Sequence, residues 1–475
     1  MKPRRIAHAG GVGIDGASAA SVPTPPAVRG AGLPARRAAL EVLLRVEREG
    51  AFADVLLGHR LAAFPDPADR HLVTKLVLAT IAWQGRLDYE LAHISSRKLE
   101  ALAPEILAIL RLGLCQLRIL TRIPQHAAVD TAVTLARESC DGGRAAGFVN
   151  AVLRNALRKT ITLPARSGDQ VDYLAVTLSH PRWLVERFVA WFGVAAAEAL
   201  MKANNEAAPN VLRLNLARGE PSELKEELLA NCFAIGSSGR FAETVILAEA
   251  PSFDSKPLRE GLCYPQSEAS QLAVRMLAPP SGATVIDCAA APGGKSTHLA
   301  ELAGRNGKII ALDRSQSGLC KVASLASKLG HQNVLTVRAD CAAALPLCPN
   351  LFDYVLLDAP CTGSGTLREH PEIRWRLRPD DFIRMAKLQL RMLEQASALV
   401  ATGGVIVYAV CSVAPEEGEG VAGSFLANHP DFAVDRAIPL IERFAGLIGV
   451  DGFMRTRPDQ GGLDGFFAAR LIRRA

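Results

Sequence analysis

A chain of 475 residues is long enough for two to four domains, at about 100–200 residues per domain, each able to bury its own core. With 49% hydrophobic and 21% charged residues, its composition is that of a globular protein rather than a disordered or fibrous one. The net charge is +6, and residues 34–165 alone contain 18 Lys or Arg against 13 Asp or Glu. This basic N-terminal region is suited to bind an anionic partner such as nucleic acid.

Other classes of protein are disfavoured by what the sequence lacks. No run of about 18 or more apolar residues is present, so no membrane span is expected. The first residues contain no compact apolar segment of the kind found in signal peptides. The ten cysteines include no Cys-x-x-Cys pair, which argues against a zinc ribbon and against a disulfide framework. We therefore expect a cytoplasmic protein without a metal site.

The first two predicted segments are a flexible tail and a helical bundle. Residues 1–33 are rich in Gly, Ala and Pro and cannot bury enough apolar surface to order themselves. From residue 34 to about 160, apolar residues recur at helical spacing, and no strand-like alternation intervenes. Its later helices also carry basic side chains suited to a phosphate backbone, namely Arg111, Arg118, Arg122, Arg137, Arg144, Arg154, Arg158 and Lys159.

A small mixed module and a larger α/β domain are predicted to follow. Between residues 161 and 257, a helical pattern precedes a strand-like alternation at 211–216, which we interpret as an α+β connecting module. From 258 to 475 the pattern changes to strand, glycine-containing turn and helix. Near-continuous apolar strands that alternate with helices are typical of a parallel sheet covered on both faces. The predicted fold is therefore multidomain, with an all-α domain in front of a Rossmann-like α/β domain.

Five predicted strands of the α/β domain end in a polar or reactive residue. These residues are Asp287, Asp313, Asp340, Asp358 and Cys411. A single aspartate at a strand end usually caps a turn, but four in succession followed by a cysteine indicate a site. Ligands bind outside the carboxyl ends of the strands in such sheets, so the five side chains are expected along one edge.

The loop after the first of these strands has the composition of a ligand-binding turn. It consists of Ala289, Ala290, Ala291, Pro292, Gly293, Gly294 and Lys295. Small side chains let the backbone approach a ligand closely, and the N-terminus of the next helix can hold an anionic group. A P-loop would need glycine where Ala289 stands, and the dinucleotide fingerprint is absent. With Asp313 suited to ribose hydroxyls and Asp340 to an adenine amino group, the pattern favours an adenosyl cofactor.

Two cysteines of the predicted edge carry a chemical hypothesis. Cys361 lies in a turn after the fourth strand, and Cys411 follows the fifth, where Pro415 predicts a helix start that would help to ionise the thiol. A thiolate that attacks carbon 6 of a cytosine turns carbon 5 into a nucleophile for a methyl group, which is covalent catalysis. Asp358 suits the cytosine amino group or the adjacent ring nitrogen. The target base must be unstacked to enter such a pocket.

These motifs resemble those of the NOL1/NOP2/Sun family of RNA cytosine-5 methyltransferases, and within it the bacterial members that act on 16S ribosomal RNA. The resemblance covers about residues 34–475. In the α/β domain it rests on residues 264–271, 287–295, 358–365, 368–375, 411–412 and 464–467. Further forward, residues 87–89, 123–129 and 147–154 resemble a NusB-like helical RNA-binding domain.

The resemblance implies a role for each residue of the predicted edge. Cys411 is then the nucleophile, Cys361 assists elimination and release, and S-adenosylmethionine is bound by residues 289–295 with Asp313, Asp340 and Asp358. The implied partner is ribosomal RNA, and we expect a monomer, because no coiled-coil pattern or symmetric apolar helix stands out. One departure is Ala289, which stands where the family usually has a cysteine. Because that cysteine takes no part in the chemistry, cofactor binding is expected to persist.

Three alternatives stay open at this level. In the first, Cys361 is the nucleophile, because a Pro-Cys motif also resembles DNA cytosine-5 methyltransferases. In the second, the chain is a P-loop nucleotidase, against which Ala289 argues. In the third, the helical domain belongs to a non-catalytic RNA-binding or assembly factor, against which the intact cysteine pair argues.

Overall fold

The computed structural model describes residues 32–139, 144–249, 251 and 255–474. The predicted flexible tail, residues 1–33, therefore lies outside the described residues except for its last two positions. Within these ranges, no helix is both long and apolar enough to cross a membrane. The described chain forms three regions that follow one another in sequence order.

The first region is helical, as predicted. Its helices are α1 (Leu33–Glu49), α2 (Ala53–Leu61), α3 (Pro67–Ala82), α4 (Gln84–Ile94), α5 (Pro104–Arg118), α6 (Gln125–Glu138) and α7 (Arg144–Arg158), with a short 3-10 turn at Leu99–Ala101. Residues three or four apart stack along one side of a helix, so the buried face of α1 contains Ala35, Ala39 and Leu43. Residues 108–116 of α5 are all buried, which makes α5 the central helix of the bundle.

The second region contains helices and a small sheet, which confirms the predicted α+β module. Its elements are α8 (Gln170–Thr177), α9 (Arg182–Phe192), α10 (Val194–Ala203), β1 (Asn210–Leu214), α11 (Pro221–Ala230), β2 (Ile235–Ser238), β3 (Thr244–Leu247), α12 (Lys256–Arg259) and β4 (Cys263–Pro265). The strands are antiparallel in the order β2-β3-β1-β4. Because β4 lies beyond residue 257, the small sheet takes its last strand from the segment that the sequence pattern assigned to the α/β domain.

The third region is built on a large sheet. Its elements are α13 (Glu268–Leu277), β5 (Thr284–Asp287), α14 (Gly294–Ala303), β6 (Lys308–Asp313), α15 (Gln316–Leu329), β7 (Val334–Arg338), β8 (Phe352–Asp358), α16 (Ile373–Arg376), α17 (Asp381–Ser397), β9 (Val400–Val410), α18 (Glu419–Asn428), β10 (Phe432–Val434), β11 (Met454–Thr456) and β12 (Phe466–Arg473), with a 3-10 turn at Ile441–Phe444. The strand order is β10-β12-β9-β8-β5-β6-β7, and β11 pairs with β12.

The five predicted strands β5 to β9 are parallel, as expected. The sequence pattern did not predict the last three strands, which are antiparallel, with β12 paired to β9, β10 and β11. An apolar run shows that a strand is buried, but it does not show in which direction the strand runs. The first six residues of β12 are all buried, just like those of a parallel strand.

The order of the strands reverses next to β5. From β5 the chain adds β6 and β7 on one side and then returns to add β8 and β9 on the other side. Two loops diverge at such a switch point and leave a crevice at the carboxyl ends of the strands. The loop 289–295 follows β5 and Asp358 ends β8, so both border this crevice.

Candidate active site

The two predicted cysteines meet at the carboxyl edge of the large sheet. Cys361 follows the end of β8 by three residues, and Cys411 comes directly after β9. Because β8 and β9 are parallel neighbours, both turns leave the sheet on the same side, and the two Sγ atoms lie 3.1 Å apart. Both residues are free thiols and partly exposed. A ligand that enters at this edge therefore reaches both sulfurs.

The surroundings of Cys361 shift the pKa of its thiol. The pKa of its thiol is raised, first by the hydrogen bond with Cys411, then by burial, and then by the charges of Cys411 and Glu417. Burial and nearby negative charge both disfavour a thiolate. They therefore favour the neutral thiol form of Cys361 in the resting site.

An ion pair joins Asp358 to the loop of residues 289–295, which the sequence predicts to bind the cofactor and which we call the cofactor loop. The Nζ atom of Lys295 is 2.5 Å from Oδ2 of Asp358, and the two side chains are 15% and 27% exposed. Burial alone would lower the pKa of Lys295, but Asp358 outweighs burial, with smaller contributions from Cys411 and Asp287, so the pKa is raised. Lys295 is thus a fixed positive charge whose field reaches Cys411, and a nearby cation favours a thiolate.

Asp287, at the end of β5, lies under this ion pair. Its Oδ2 accepts a hydrogen bond of 2.6 Å from the Ser296 hydroxyl, and its buried Oδ1 has no partner among the described residues. Burial raises the pKa of Asp287 to about 6, the charge of Asp358 adds to this, and the bond from Ser296 opposes it. The wall of the crevice therefore contains an unsatisfied acceptor that can take a donor from a ligand.

The cofactor loop keeps its backbone close to its neighbours. Gly293 has a φ of 114°, a conformation that favours glycine, and a Cβ there would meet the Cα of Val322 at 3.0 Å. Ala290 is buried, Ala289 and Ala291 are partly buried, and Pro292 is exposed. The loop therefore presents small side chains and main chain to the crevice, as the sequence predicted.

The two other predicted aspartates differ in how firmly they are held. Asp313, at the end of β6, accepts from the Ala291 N–H at 3.1 Å and from the Ser315 N–H at 2.8 Å, so it ties its own turn to the cofactor loop. Asp340 is exposed beyond the end of β7, and its carboxylate accepts from the Ala342 N–H at 2.9 Å. The structure therefore brings Asp313 to the loop and leaves Asp340 at the rim.

Two residues with direct contacts to the site were missed in the sequence. Arg213, in β1 of the small module, is fully buried and donates to the carbonyl of Gly294 at 2.6 Å. Glu417 is also fully buried and lies between the two cysteine turns. Pro415 does not begin a helix as predicted, because α18 starts only at Glu419 and residues 415–418 form a turn. Cys411 is therefore separated from the helix N-terminus that was expected to activate it.

Arg213 is part of a buried ionic cluster that joins the module to the large sheet, which we call the module joint. Its members are Arg213, Glu243, Arg275, His298, Glu301 and His331. Arg213 pairs with Glu301 at 2.9 Å, and Arg275 pairs with Glu243 at 2.5 Å. The Nη2 atom of Arg213 thus forms the ion pair with Glu301, and the Nη1 atom donates to the carbonyl of Gly294, the first residue of α14. The position of the cofactor loop consequently depends on the small module.

A second connection, which we call the helical joint, attaches the helical domain. It consists of Arg374, Trp375 and Arg376 in α16, on the segment that follows Cys361. The Trp375 indole donates to the Ile81 carbonyl at 2.7 Å. Arg376 donates to the carbonyls of Val46 and Ala51, at 3.0 and 2.6 Å.

Arg374 is the buried centre of the helical joint. It is 0% exposed and donates to four carbonyls and one amide oxygen, those of Ala82, Ser179, Asn204, Leu367 and Asn205. Burial lowers the pKa of Arg374 to about 9, with Glu372 opposing this shift, so the guanidinium is charged at neutral pH. The guanidinium of Arg374 therefore bonds to the helical domain, to the connecting region and to the segment that follows Cys361.

Some of the basic residues predicted to line a phosphate surface have other partners. Arg111 is 9% exposed and its Nε lies 2.7 Å from Asp88, in an ion pair that also includes Glu47. Arg118 pairs with the buried Glu90 at 2.9 Å. These two arginines are held inside the helical domain, which argues against a role in binding phosphate.

Each of the three regions has a counterpart among known families. Residues 33–158 match the NusB family, and residues 180–254 match the ferredoxin-like domain of RsmF/B-like methyltransferases. Residues 274–472 match the family described as 16S rRNA methyltransferase RsmB/F. The large sheet with its crevice is therefore a Rossmann-like methyltransferase domain, and the protein is a methyltransferase with two preceding domains.

The chain belongs to the RsmB/F family of ribosomal RNA small subunit methyltransferases. The Thermus thermophilus protein named ribosomal RNA small subunit methyltransferase B is 37% identical over 445 residues, which cover 93% of this chain and 98% of that protein. A Bacillus subtilis protein named probable ribosomal RNA small subunit methyltransferase B is 32% identical, over 92% of this chain and 98% of its own. This family membership sets aside the nucleotidase and the non-catalytic factor.

Solved structures share the fold of this chain. The crystal structure of PH0851 superposes with a TM-score of 0.81 at 27% identity, over 93% of this chain and 99% of its own. The structure of NSun6 from Pyrococcus horikoshii with SFG has a TM-score of 0.56 at 23% identity, over 62% of this chain and 98% of its own. The second match shows a shared fold.

Proposed function

We propose that the protein transfers a methyl group from S-adenosylmethionine to carbon 5 of a cytosine in 16S ribosomal RNA, through a covalent bond between Cys411 and carbon 6. The observation that carries this proposal is the 3.1 Å contact between the Cys361 and Cys411 sulfurs at the switch point of the sheet. A single thiol serves many enzymes, but two thiols in contact suit a reaction with both a covalent addition and an elimination.

The crevice has the features that S-adenosylmethionine requires. The cofactor loop offers main chain and small side chains, Gly293 leaves no room for a Cβ, and the buried Oδ1 of Asp287 has no partner among the described residues. In this proposal Asp313 binds the ribose hydroxyls and Asp340 binds the adenine. Residues 289–295 and Asp358 contact the remainder of the cofactor. The bound cofactor supplies an electrophilic methyl group. Ala289, which replaces the usual cysteine, is partly buried and leaves this cradle intact.

Cys411 begins the reaction in this proposal. Its Sγ, as a thiolate next to the field of Lys295, forms a bond to carbon 6 of the cytosine and makes carbon 5 nucleophilic. Asp358 lies 2.5 Å from the Nζ atom of Lys295, and carboxylate oxygens accept hydrogen bonds. Asp358 is therefore suited to the cytosine amino group or to the adjacent ring nitrogen.

Cys361 completes the reaction. The main causes that keep its proton are the hydrogen bond with Cys411 and burial, followed by the Cys411 charge. Once Cys411 is a thioether, its charge is gone, so the Cys361 thiol can release its proton through the partly exposed edge. The resulting thiolate takes the proton from carbon 5, and the electrons of that C–H bond re-form the ring double bond. The Sγ–carbon 6 bond then breaks, and Cys411 leaves as a thiolate.

The substrate assignment rests on the names of relatives and on the helical domain. The related proteins are named ribosomal RNA small subunit methyltransferases, and the matched family is described by 16S rRNA. In this proposal residues 34–160 bind RNA, residues 161–257 connect, and residues 258–475 catalyse, in a monomer. The exposed members of the basic set are candidates for phosphate contacts, namely Arg122, Arg137, Arg144, Arg154, Arg158 and Lys159.

Labelled S-adenosylmethionine and 16S ribosomal RNA test the proposal directly. We expect label in 5-methylcytidine with the wild type, none with Cys411→Ala, and an accumulated protein–RNA adduct with Cys361→Ala. Cys348→Ala is the control, because this exposed cysteine lies outside the edge. An adduct with Cys411→Ala but not with Cys361→Ala would reverse the two roles, and label in another base would contradict the covalent mechanism.

A further inference from the structure

Glu417 is a buried carboxylate with an unusual set of partners. It is 0% exposed, and its two oxygens accept four hydrogen bonds, all from uncharged donors. The donors are the Thr362 N–H at 2.9 Å, the Thr362 hydroxyl at 2.5 Å, the Ser412 hydroxyl at 2.6 Å and the Gln389 amide at 2.9 Å. A buried charge is costly unless it is fully hydrogen-bonded. Four converging donors match the capacity of an ionised carboxylate, which only accepts.

The partners of Glu417 lie next to the two reactive sulfurs in the chain. Thr362 directly follows Cys361, and Ser412 directly follows Cys411. The same carboxylate oxygen, Oε2, accepts from the hydroxyls of both residues, which are 50 positions apart. One side chain therefore bonds to both cysteine turns, each at the position after its cysteine.

Glu417 is itself held in place from behind. Gln389 of α17 donates to Glu417 and also, at 2.9 Å, to the carbonyl of Pro360, the residue before Cys361. The Tyr408 hydroxyl, in β9, lies 2.5 Å from the Glu417 carbonyl oxygen and 3.1 Å from Oε1 of Gln389. Tyr408, three residues before Cys411, thus supports Glu417 rather than the reaction itself.

We propose that Glu417 is a positioning residue that clamps the two cysteine turns together and thereby sets the contact between the Cys361 and Cys411 sulfurs. This inference rests on the proposed function, because only a reaction that uses both thiols needs their separation to be fixed. Loss of the carboxylate takes the acceptor from the Thr362 N–H and hydroxyl, and leaves the Ser412 hydroxyl with Ser364 and Thr362 as its neighbours. The turns then separate until water satisfies these groups.

Two substitutions at position 417 separate geometry from charge. In Glu417→Gln, the amide oxygen can take the place of Oε1, and the amide N–H groups can face the two hydroxyls, which are free to turn and accept. This variant should keep the clamp and lose the charge. Glu417→Leu removes every acceptor. The matched control is Glu416→Leu in the same turn, since Glu416 bonds to Arg187 at 2.8 Å and does not contact the cysteine turns among the bonds described.

The contact between the sulfurs can be measured without RNA or cofactor. Diamide oxidises two adjacent thiols to a disulfide, and mass spectrometry of the Cys361–Cys411 peptide pair gives the rate. We expect this rate to fall about tenfold or more in Glu417→Leu, because loss of buried acceptors costs at least about 1.4 kcal/mol. Glu417→Gln and Glu416→Leu should remain within about threefold of the wild type. The kcat of methyl transfer should fall in parallel, with the KM for S-adenosylmethionine unchanged.

Wild-type cross-linking and turnover in folded Glu417→Leu would overturn the inference. If that variant does not fold, Thr362→Val removes a single hydroxyl from the clamp, and a rate lower by about threefold is expected; an unchanged rate would count against the clamp. A wild type that makes no 5-methylcytidine would overturn the proposed function instead, while the cross-linking series, which needs no catalysis, still tests the clamp.

Discussion

The helical domain and the small module are attached to the methyltransferase domain by different chemistry. The helical joint places charged and indole donors on main-chain carbonyls, which carry no charge. The module joint instead combines buried opposite charges, with ion-pair distances of 2.5 and 2.9 Å. The first joint lies on the segment after Cys361 and the second holds the cofactor loop. Each half of the active site is therefore connected to a different domain.

The difference in chemistry predicts which changes weaken the helical joint and which weaken the module joint. Carbonyl acceptors do not titrate, so the helical joint depends on shape and on the planar fork of arginine. Buried ion pairs depend on the presence of both partners, since either charge alone is poorly tolerated away from water. Changes of side-chain geometry should therefore weaken the helical joint, and changes of charge or pH should weaken the module joint.

Arg213→Met is expected to have the largest effect. It leaves Glu301 as an uncompensated buried charge, which should lower the free energy of unfolding by about 3–5 kcal/mol in urea titrations. The affinity for S-adenosylmethionine, measured by calorimetry, should also fall, because the bond to the Gly294 carbonyl is lost. The exposed Arg218→Met serves as control. If Glu301→Gln in the same chain restored no stability, the pairing of charges would not be what holds this joint.

Arg374→Lys tests the helical joint with the charge retained. A lysine cannot reach five acceptors with a planar fork, so a loss of about 2–3 kcal/mol is expected in the same titrations. Arg378→Lys, on the same segment but exposed, should change the stability by less than about 0.5 kcal/mol. Equal effects of the two substitutions would mean that the buried fork contributes nothing specific.

The smallest expected effect is the pH dependence of the free energy of unfolding, which distinguishes the module joint from the helical joint. Burial lowers the pKa of His298 to about 4, against the opposing contacts with Glu243. A group with a depressed native pKa loses its contribution as the pH falls from its unfolded pKa, about 6.5, towards 4. Between pH 7 and pH 5 this histidine should cost roughly 2 kcal/mol of stability.

The contribution of His298 to the pH dependence of stability can be measured by substitution. His298→Gln should lose roughly 2 kcal/mol less than the wild type over the same pH interval, while the exposed His59→Gln should follow the wild type. Burial and the charge of Arg374 lower the pKa of the neighbouring His180, and Arg374→Lys keeps that charge, so this variant should keep the wild-type pH dependence. A His298→Gln variant with the same pH dependence as the wild type would show that His298 is not buried as a neutral ring.

The position of the cysteine pair could be predicted because parallel strands impose it. The predicted strands ending at Asp358 and Cys411 are neighbours in the sheet, and their carboxyl ends must therefore meet. The small residues of the cofactor loop were recognisable for a similar reason, since close approach of the backbone excludes side chains. These inferences need only local sequence and a rule about the sheet.

The partners of buried charges could not be predicted in this way. Pro415 and the two glutamates after it are typical of a helix start, yet Glu417 is drawn into the turns by donors 28 to 55 residues away. Arg111 looked like a member of a basic surface, but a carboxylate from the preceding helix, Asp88, holds it inside. The local sequence pattern shows that a charged residue is present, but only the tertiary fold shows which groups that residue contacts.

The central place of β12 in the sheet has a consequence for biosynthesis. β9, which leads to Cys411, has β8 on one side and β12 on the other, and β12 begins only at Phe466. During translation a nascent chain thus contains both cysteines well before the second neighbour of β9 has left the ribosome. Until then β9 is an open sheet edge, which favours pairing with other chains. A ribosome stalled in this interval would hold a chain that already has its reactive thiols but still lacks the strand that encloses them.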